Sequence, residues 1–223
     1  MQQRLKKIVE QVCKANIVAD IGCDHGLVSQ AIIEENRASK VIACDISIKS
    51  LSKTQKLAEE FSLNIETRCG DGLRPLEVGE ADVVIIAGMG GTLIKNILKN
   101  DMEKAKSAQQ LLLMPHGNES DLRRFLCENG FAIANEWLIK ELGRYYHLIC
   151  AKAGVWKEND EFYFEIGRKL IENHDKELMG YLKKRIEKTE NIIKKAEKGT
   201  DTQIYIAELI VLKRRMQEVL KCL

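Results

Sequence analysis

The chain has 223 residues, 45% of them hydrophobic, with 35 Lys and Arg against 33 Asp and Glu and a net charge of +2. That balance excludes a disordered or collagen-like chain and is too mild to announce a nucleic-acid partner by itself. No apolar run approaches the roughly 18 residues of a membrane span. Met1–Gln11 carries Arg4, Lys6 and Lys7 without a signal-peptide core, so a cytoplasmic protein without membrane contact is expected.

The seven cysteines are odd in number and form no C-x-x-C pair. They read as reduced, mostly buried thiols, with Cys23, Cys44, Cys69 and Cys150 in or beside apolar runs. The four histidines lack ligand spacing, so no metal is expected.

In chain order, Ile17–Gly22 is an apolar run ending in Asp-x-Gly, and Leu27–Glu35 has a helical pattern. Val41–Asp45 is a second run, Ile48–Phe61 a second helix and Ile65–Cys69 a third run. Asp82–Gly88 contains Val83, Val84, Ile85 and Ile86, too apolar for a strand with one wet face. Gly91–Lys99 and Glu119–Asn129 are helices on either side of a strand at Gln110–Pro115. This repeated β-α rhythm predicts an α/β, Rossmann-like parallel sheet. Phe131–Leu142 and Arg144–Lys152 flank Gly143 without an intervening helix, so the sheet is expected to end in an antiparallel hairpin.

The pattern changes after Gly154, which predicts two units, residues 1–154 and 155–223. Asp160–Asn173 reads as one short helix, Asp175–Lys198 as a long one, Gly199-Thr200-Asp201 as a break, and Thr202–Leu223 as a last helix. Tyr205, Leu209, Leu212, Met216, Val219 and Leu223 repeat in steps of four and three. Leu182, Ile186, Thr189, Ile193 and Ala196 match them, which predicts a coiled-coil-like helical hairpin, an arm about 36 Å long. The spacing leaves self-pairing between chains open, hence a monomer or weak dimer.

Ligands of open α/β sheets bind beyond the carboxyl ends of the strands. Asp20-Ile21-Gly22-Cys23-Asp24-His25-Gly26 closes the first strand. It is neither G-x-G-x-x-G nor a phosphate loop. Asp20 and Asp24 would repel phosphate and suit an amino group or a sulfonium. Asp45, followed by Ile46, closes the second strand, where an acid can accept from a ribose diol. Asp71 in Gly70-Asp71-Gly72 can accept from an adenine amino group, and Gly88-Met89-Gly90-Gly91 leaves room for a planar substrate. Together these ends fit an S-adenosylmethionine methyltransferase. A nicotinamide oxidoreductase lacks its glycine fingerprint here. A non-catalytic scaffold would not need the acids and glycines. A methyltransferase of a small molecule or protein stays open as the alternative.

Val18-Ala19-Asp20-Ile21-Gly22-Cys23-Asp24-His25 and Gly88-Met89-Gly90-Gly91-Thr92-Leu93-Ile94 resemble the signatures of the bacterial tRNA (adenine-22-N1)-methyltransferases, the TrmK family. The resemblance extends to Arg4-Leu5, Asn129-Gly130-Phe131, Tyr146-His147-Leu148-Ile149 and the helical arm. It implies tRNA as partner and S-adenosylmethionine as cofactor, held by Asp20, Gly22, Asp45, Ile46, Asp71, Gly72, Gly88 and Met89. Gly90, Gly91, Pro115, Asn118 and Tyr146 fall on the substrate side.

In the implied reaction, adenine N1 attacks the sulfonium methyl, and its free lone pair needs no strong base. Positioning then supplies most of the acceleration. Asp24 is expected to stabilise the cationic product, with His25 orienting Asp24 or touching the base. The target base must be unpaired or everted first. Lys183, Lys184, Arg185, Lys194, Lys195 and Lys198, then Lys213, Arg214 and Arg215, are candidate phosphate contacts, with Arg123 and Arg124 as further ones.

Overall fold

A computed structural model of the chain describes residues 2–196 and 203–223. The break expected at Gly199-Thr200-Asp201, together with Lys198 and Thr202, lies outside the described residues. Helix α1 (Gln3–Gln11) leads into strand β1 (Ala15–Ile21), followed by α2 (Leu27–Glu34), β2 (Ala38–Asp45), α3 (Ile48–Glu60) and β3 (Ile65–Cys69). Then come β4 (Val83–Met89), α4 (Gly91–Asn100), α5 (Met102–Ser107), β5 (Gln110–Pro115) and α6 (Glu119–Glu128). The hairpin is β6 (Phe131–Glu141) and β7 (Arg144–Ala153).

The seven strands form one sheet in the order β3-β2-β1-β4-β5-β7-β6. β1 to β5 pair in parallel, and β7 joins β5 and β6 antiparallel, so the expected parallel sheet closed by a hairpin is what the chain builds. The β-α rhythm has one interruption, since turns rather than a helix cross from β3 to β4. α5, too short to leave a periodic signal, was not foreseen.

The apolar run of β4 is buried on both faces, as read. Val84 and Ile86 join one core with Ile94, Leu98 and Leu122. Val83 and Ile85 join the other with Ile8, Val9, Val28 and Ile32. Cys23, Cys44 and Cys150 are buried, whereas Cys69 is exposed because β3 is the edge strand and the thiol lies at its last residue.

After the sheet come α7 (Glu161–Ile166), α8 (Arg168–Glu172), α9 (Leu178–Ala196) and α10 (Gln203–Cys222). The single helix expected over Asp160–Asn173 is broken at Gly167, whose φ of 101° no α-helix contains. A side chain there would press on Glu136 and Arg123, so the break lets backbone lie against a buried ion pair. α9 and α10 pack through Leu182, Ile186, Leu212, Met216 and Val219. Lys213 of α10 reaches Glu190 of α9 at 3.6 Å. The ends of the expected seam are open, with Tyr205 49% and Leu223 37% exposed.

Candidate active site

The chain leaves β1 outward to β2 and β3, then returns to β4 on the other side of β1. That reversal opens a crevice at the carboxyl ends of β1 and β4. A cleft of about 670 Å³ lies there. Asp20, Gly22, Asp24, His25 and Gly88, all expected in the site, line it together.

Asp20, next to last in β1, is almost fully buried, and its Oδ2 accepts from the Ser29 hydroxyl of α2 at 2.7 Å. Burial pushes its carboxyl up to about 6, against the Ser29 hydrogen bonds, which pull it down. The charge of Asp20 is thus under-compensated, and its complement is a cation. Gly22 turns the chain with φ 76°, and any side chain there would collide with Met89 Cε. Cys23 lines the same cleft, but burial pushes its thiol up to about 12, which leaves it a packing residue.

Asp24 has the left-handed φ of 48°. Its N–H donates to Asp45 Oδ2 at 3.2 Å, which ties the β1 turn to the end of β2. The Thr54 hydroxyl of α3 braces the turn by donating to the Asp24 carbonyl at 3.2 Å. The Asp24 carboxylate itself is exposed and lies 3.6 Å from His25 Nε2. Lys53 Nζ lies 3.3 Å from that same nitrogen. Asp45 Oδ1 accepts from Ser47 N–H at 2.8 Å.

Asp71 and Gly72 follow β3 and do not line the cleft. Asp71 is exposed beside the β2 end, where Gly70 N–H donates to the Asp45 carbonyl at 3.1 Å. Gly72 is buried against Ile97. Ile46 is 72% exposed next to Asp45. Asp45, Ile46 and Asp71 thus form a ledge running outward from the cleft.

Beyond Met89, Gly91 N–H donates to the Gly117 carbonyl at 3.0 Å, and Asn118 Nδ2 donates to Thr92 Oγ1 at 3.0 Å. These contacts hold Gly90, Gly91 and Asn118 in one loop cluster. Pro115 is buried beside Met89 and does not line the cleft, because the last β5 pair covers it. Its neighbour His116 is exposed and packs on Tyr146 at 5.6 Å between ring centroids.

Sequence reasoning missed the contribution of α1 to the cleft. Gln2, Arg4 and Leu5 line it. Arg4 Nη1 donates to Glu141 Oε2 at 2.6 Å, and its guanidinium lies 5.1 Å from the Tyr146 ring centroid. Ala87 and Met114 complete the floor. The resemblance marks Arg4-Leu5 as an opening helix, but a short amphipathic stretch with Arg4, Lys6 and Lys7 does not say which cleft it borders.

Two of the expected RNA contacts are corrected. Arg123 is fully buried and donates to Glu136 Oε1 at 2.6 Å, to the Phe164 carbonyl at 2.8 Å and to His147 Nδ1 at 3.0 Å. Burial first, then the Arg123 and Arg185 charges, hold His147 well below the usual histidine range, so its neutral ring accepts that bond. Arg124 pairs with Glu161. Neither presents a free guanidinium to a phosphate. Arg185 and Arg215 are also paired, with Glu165 at 2.7 Å and Asp160 at 2.5 Å.

Residues 1–149 match the family described as "Methyltransferase domain". The chain belongs to that family. A tRNA (adenine(22)-N(1))-methyltransferase of Bacillus subtilis (strain 168) is 33% identical over 156 residues, 69% of this chain and 66% of that relative, so the match spans just under two thirds of its length. The solved structure of the B. subtilis M1A22 tRNA methyltransferase TrmK superposes with a TM-score of 0.84 at 28% identity, over 99% of this chain and 97% of that one. M. capricolum TrmK, solved with S-adenosyl-homocysteine, gives a TM-score of 0.84 at 25% identity over 99% and 98%. The TrmK resemblance read from Asp20–His25 and Gly88–Ile94 is borne out by these relatives. The methyltransferase fold extends through the hairpin, and the solved neighbours cover the C-terminal helices as well.

Proposed function

We propose that this methyltransferase transfers a methyl group from S-adenosylmethionine to N1 of adenine 22 in the D-arm region of tRNA. The observation that carries this is the acidic crevice at the sheet reversal, where a buried, under-compensated Asp20 adjoins Gly22, Asp24 and Gly88. That donor set fits a cationic amino acid and a sulfonium and disfavours a pyrophosphate. Asp20 would hold the ammonium, Asp45 the ribose hydroxyls, Ile46 and Asp71 the adenine, with Gly22, Gly88 and Met89 shaping the walls and Gly72 setting the turn after Asp71. When bound, S-adenosylmethionine supplies a sulfonium-activated methyl group.

The residues beyond it supply position and charge. Methylation at N1 leaves a cationic base, and the exposed Asp24 carboxylate offers the compensating charge. His25, near both Asp24 and Lys53, orients that carboxylate. Tyr146, between Arg4 and His116, provides an aromatic wall for an everted base. Gly90, Gly91 and Asn118 border the same opening. Residues 1–154 would hold this chemistry and 155–223 reach along the RNA. The protein would work in the cytoplasm, as a monomer or weak dimer and without a metal.

The test uses labelled S-adenosylmethionine and unmodified bacterial tRNA, with nucleoside mass spectrometry as readout. N1-methyladenosine at position 22, lost in an Asp24→Ala variant that still binds cofactor, is the expected result. Cofactor binding without incorporation into tRNA would move the acceptor to a small molecule or protein.

A further inference from the structure

Asp24 is anchored by its backbone and free at its side chain. Its left-handed φ of 48° is uncommon outside glycine, although aspartate and asparagine adopt it more readily than most. Such a conformation persists where its surroundings over-determine it. Here both backbone polar groups are engaged by other elements. The N–H donates to Asp45 Oδ2 at the end of β2, and the carbonyl accepts from the Thr54 hydroxyl of α3, each at 3.2 Å. Among the described residues, by contrast, nothing donates a hydrogen bond to the Asp24 carboxylate, whose side chain is 71% exposed.

The hold from α3 is a packed one. Thr54 is fully buried, and its hydroxyl lies 3.6 Å from Cys23 Sγ. A side chain at Gly26 would stand 2.8 Å from Thr54 Cγ2, so helix and turn approach as closely as a glycine permits. The Ser50 carbonyl, one turn back in α3, is a second acceptor at 3.4 Å from the same hydroxyl. The Asp24 carbonyl is the nearer of the two, so the single hydroxyl proton is directed to the turn.

The preceding residue of α3 acts on His25. Lys53 Nζ lies 3.3 Å from His25 Nε2, and Asp24 Oδ1 lies 3.6 Å from the same nitrogen. An ammonium can only donate, so the Nε2 that faces it accepts, and the ring proton sits on Nδ1. One nitrogen cannot accept from Lys53 and donate to Asp24 at once. The ring therefore borders the carboxylate without taking up its charge. Among the described residues no carboxylate lies within 4 Å of the Lys53 ammonium, so the ring nitrogen is its partner. Consecutive residues of one helix thus hold consecutive residues of one turn.

We propose that Lys53 and Thr54 of α3 are positioning residues for methyl transfer: Thr54 fixes where the Asp24 carboxylate stands, and Lys53 holds the His25 ring as an acceptor, so that this carboxylate stays unpaired until the methylated base brings its positive charge. The inference rests on the assignment of Asp24 to the cationic product made above. Neither residue lines the cleft, so both act through the turn. A fixed anion that needs no rearrangement as charge develops stabilises it more than one that must first leave a partner. The 30 residues between Asp24 and Thr54 hide this relation from the sequence.

The test is single-turnover methylation of unmodified tRNA at saturating cofactor and tRNA, with the affinity for each measured separately. Thr54→Val keeps the shape of the buried side chain and removes its hydroxyl. Lys53→Met keeps the stem at an exposed position, where folding is not at stake. Each should slow methyl transfer about 3- to 10-fold, the size of one lost hydrogen bond. Both affinities should be unchanged, and Thr54→Ser should restore most of the rate. Asp24→Asn supplies the deciding background, because asparagine accepts the left-handed φ and carries no charge. In that background the two substitutions should alter the rate by less than about twofold, since they act through the missing carboxylate. Full effects that persist in Asp24→Asn, or wild-type rates in both single variants, would overturn the proposal and leave the tRNA reading standing. A Lys53→Met defect confined to tRNA affinity would overturn the role of Lys53, and a Thr54→Val defect confined to cofactor affinity that of Thr54. A wild-type protein that binds cofactor but methylates no tRNA would overturn the underlying reading as well.

Discussion

Replacing Asp20 with Asn should stabilise the ligand-free protein while weakening its cofactor. The wild-type carboxyl titrates at about 6 in the fold against 3.8 for an unperturbed aspartate. Between those values the native state holds more protons than the unfolded chain, so stability falls as pH rises from about 4 to about 6 and is level above that. A shift of about two units corresponds to about 3 kcal/mol. The amide has no charge to desolvate, and its oxygen can still accept from the Ser29 hydroxyl that now bonds Oδ2. Urea unfolding of wild type and Asp20→Asn should thus coincide near pH 4 and separate by about 3 kcal/mol at pH 8, the variant being more stable. A bound ammonium reverses the balance, because it favours the ionised carboxylate. Wild-type affinity for S-adenosylmethionine should rise as pH passes upward through 6, and the variant should bind roughly 10- to 100-fold more weakly at pH 8 without that rise. A variant less stable than wild type at pH 8, together with a flat wild-type affinity from pH 5 to 7, would refute the reasoning.

Two further substitutions separate the joint from the substrate wall. Arg123→Met leaves Glu136 buried without its partner and should cost about 3–5 kcal/mol in urea unfolding; a loss below about 1 kcal/mol would contradict the burial argument. Tyr146→Ala should lower tRNA methylation roughly 10- to 100-fold by removing a stacking surface, with cofactor affinity unchanged and with Tyr146→Phe close to wild type. Equal loss in the Phe variant would shift the role from the ring to the hydroxyl.

The legible parts of this chain were those whose signals are local. The run Val83–Ile86 specified a strand buried on both faces. The Asp-x-Gly end of β1 specified a turn, and the two extended segments around Gly143 specified the hairpin. What could not be read was tertiary in origin. Nothing near Asp20 in the sequence announces that Ser29 will bond it, and nothing near Asp24 announces Thr54. Pro115 lay at the right strand end, but strand pairing buried it and exposed His116. Arg123 and Arg124 looked equivalent as adjacent basic residues. Helix geometry turned one into the core and the other to the surface, a distinction that depends on what packs against α6.

The alternation of β7 joins these observations. Successive strand side chains point to opposite faces, and on β7 the two faces serve different parts of the molecule. Tyr145 and His147 pack edge-on against Tyr181 of α9, with ring centroids 5.6 and 5.0 Å apart. Tyr146, between them, faces His116 and Arg4, which lines the cleft. The buried Arg123 then bonds His147 on β7, Glu136 on β6 and the Phe164 carbonyl on α7. The segment that carries the proposed base-stacking ring is therefore pinned from its other face by the arm. α9 and the proposed substrate wall thus meet on the two faces of one strand, which fixes the arm relative to the cleft. Moving Tyr181 would disturb His147, and through one residue of backbone it would displace Tyr146.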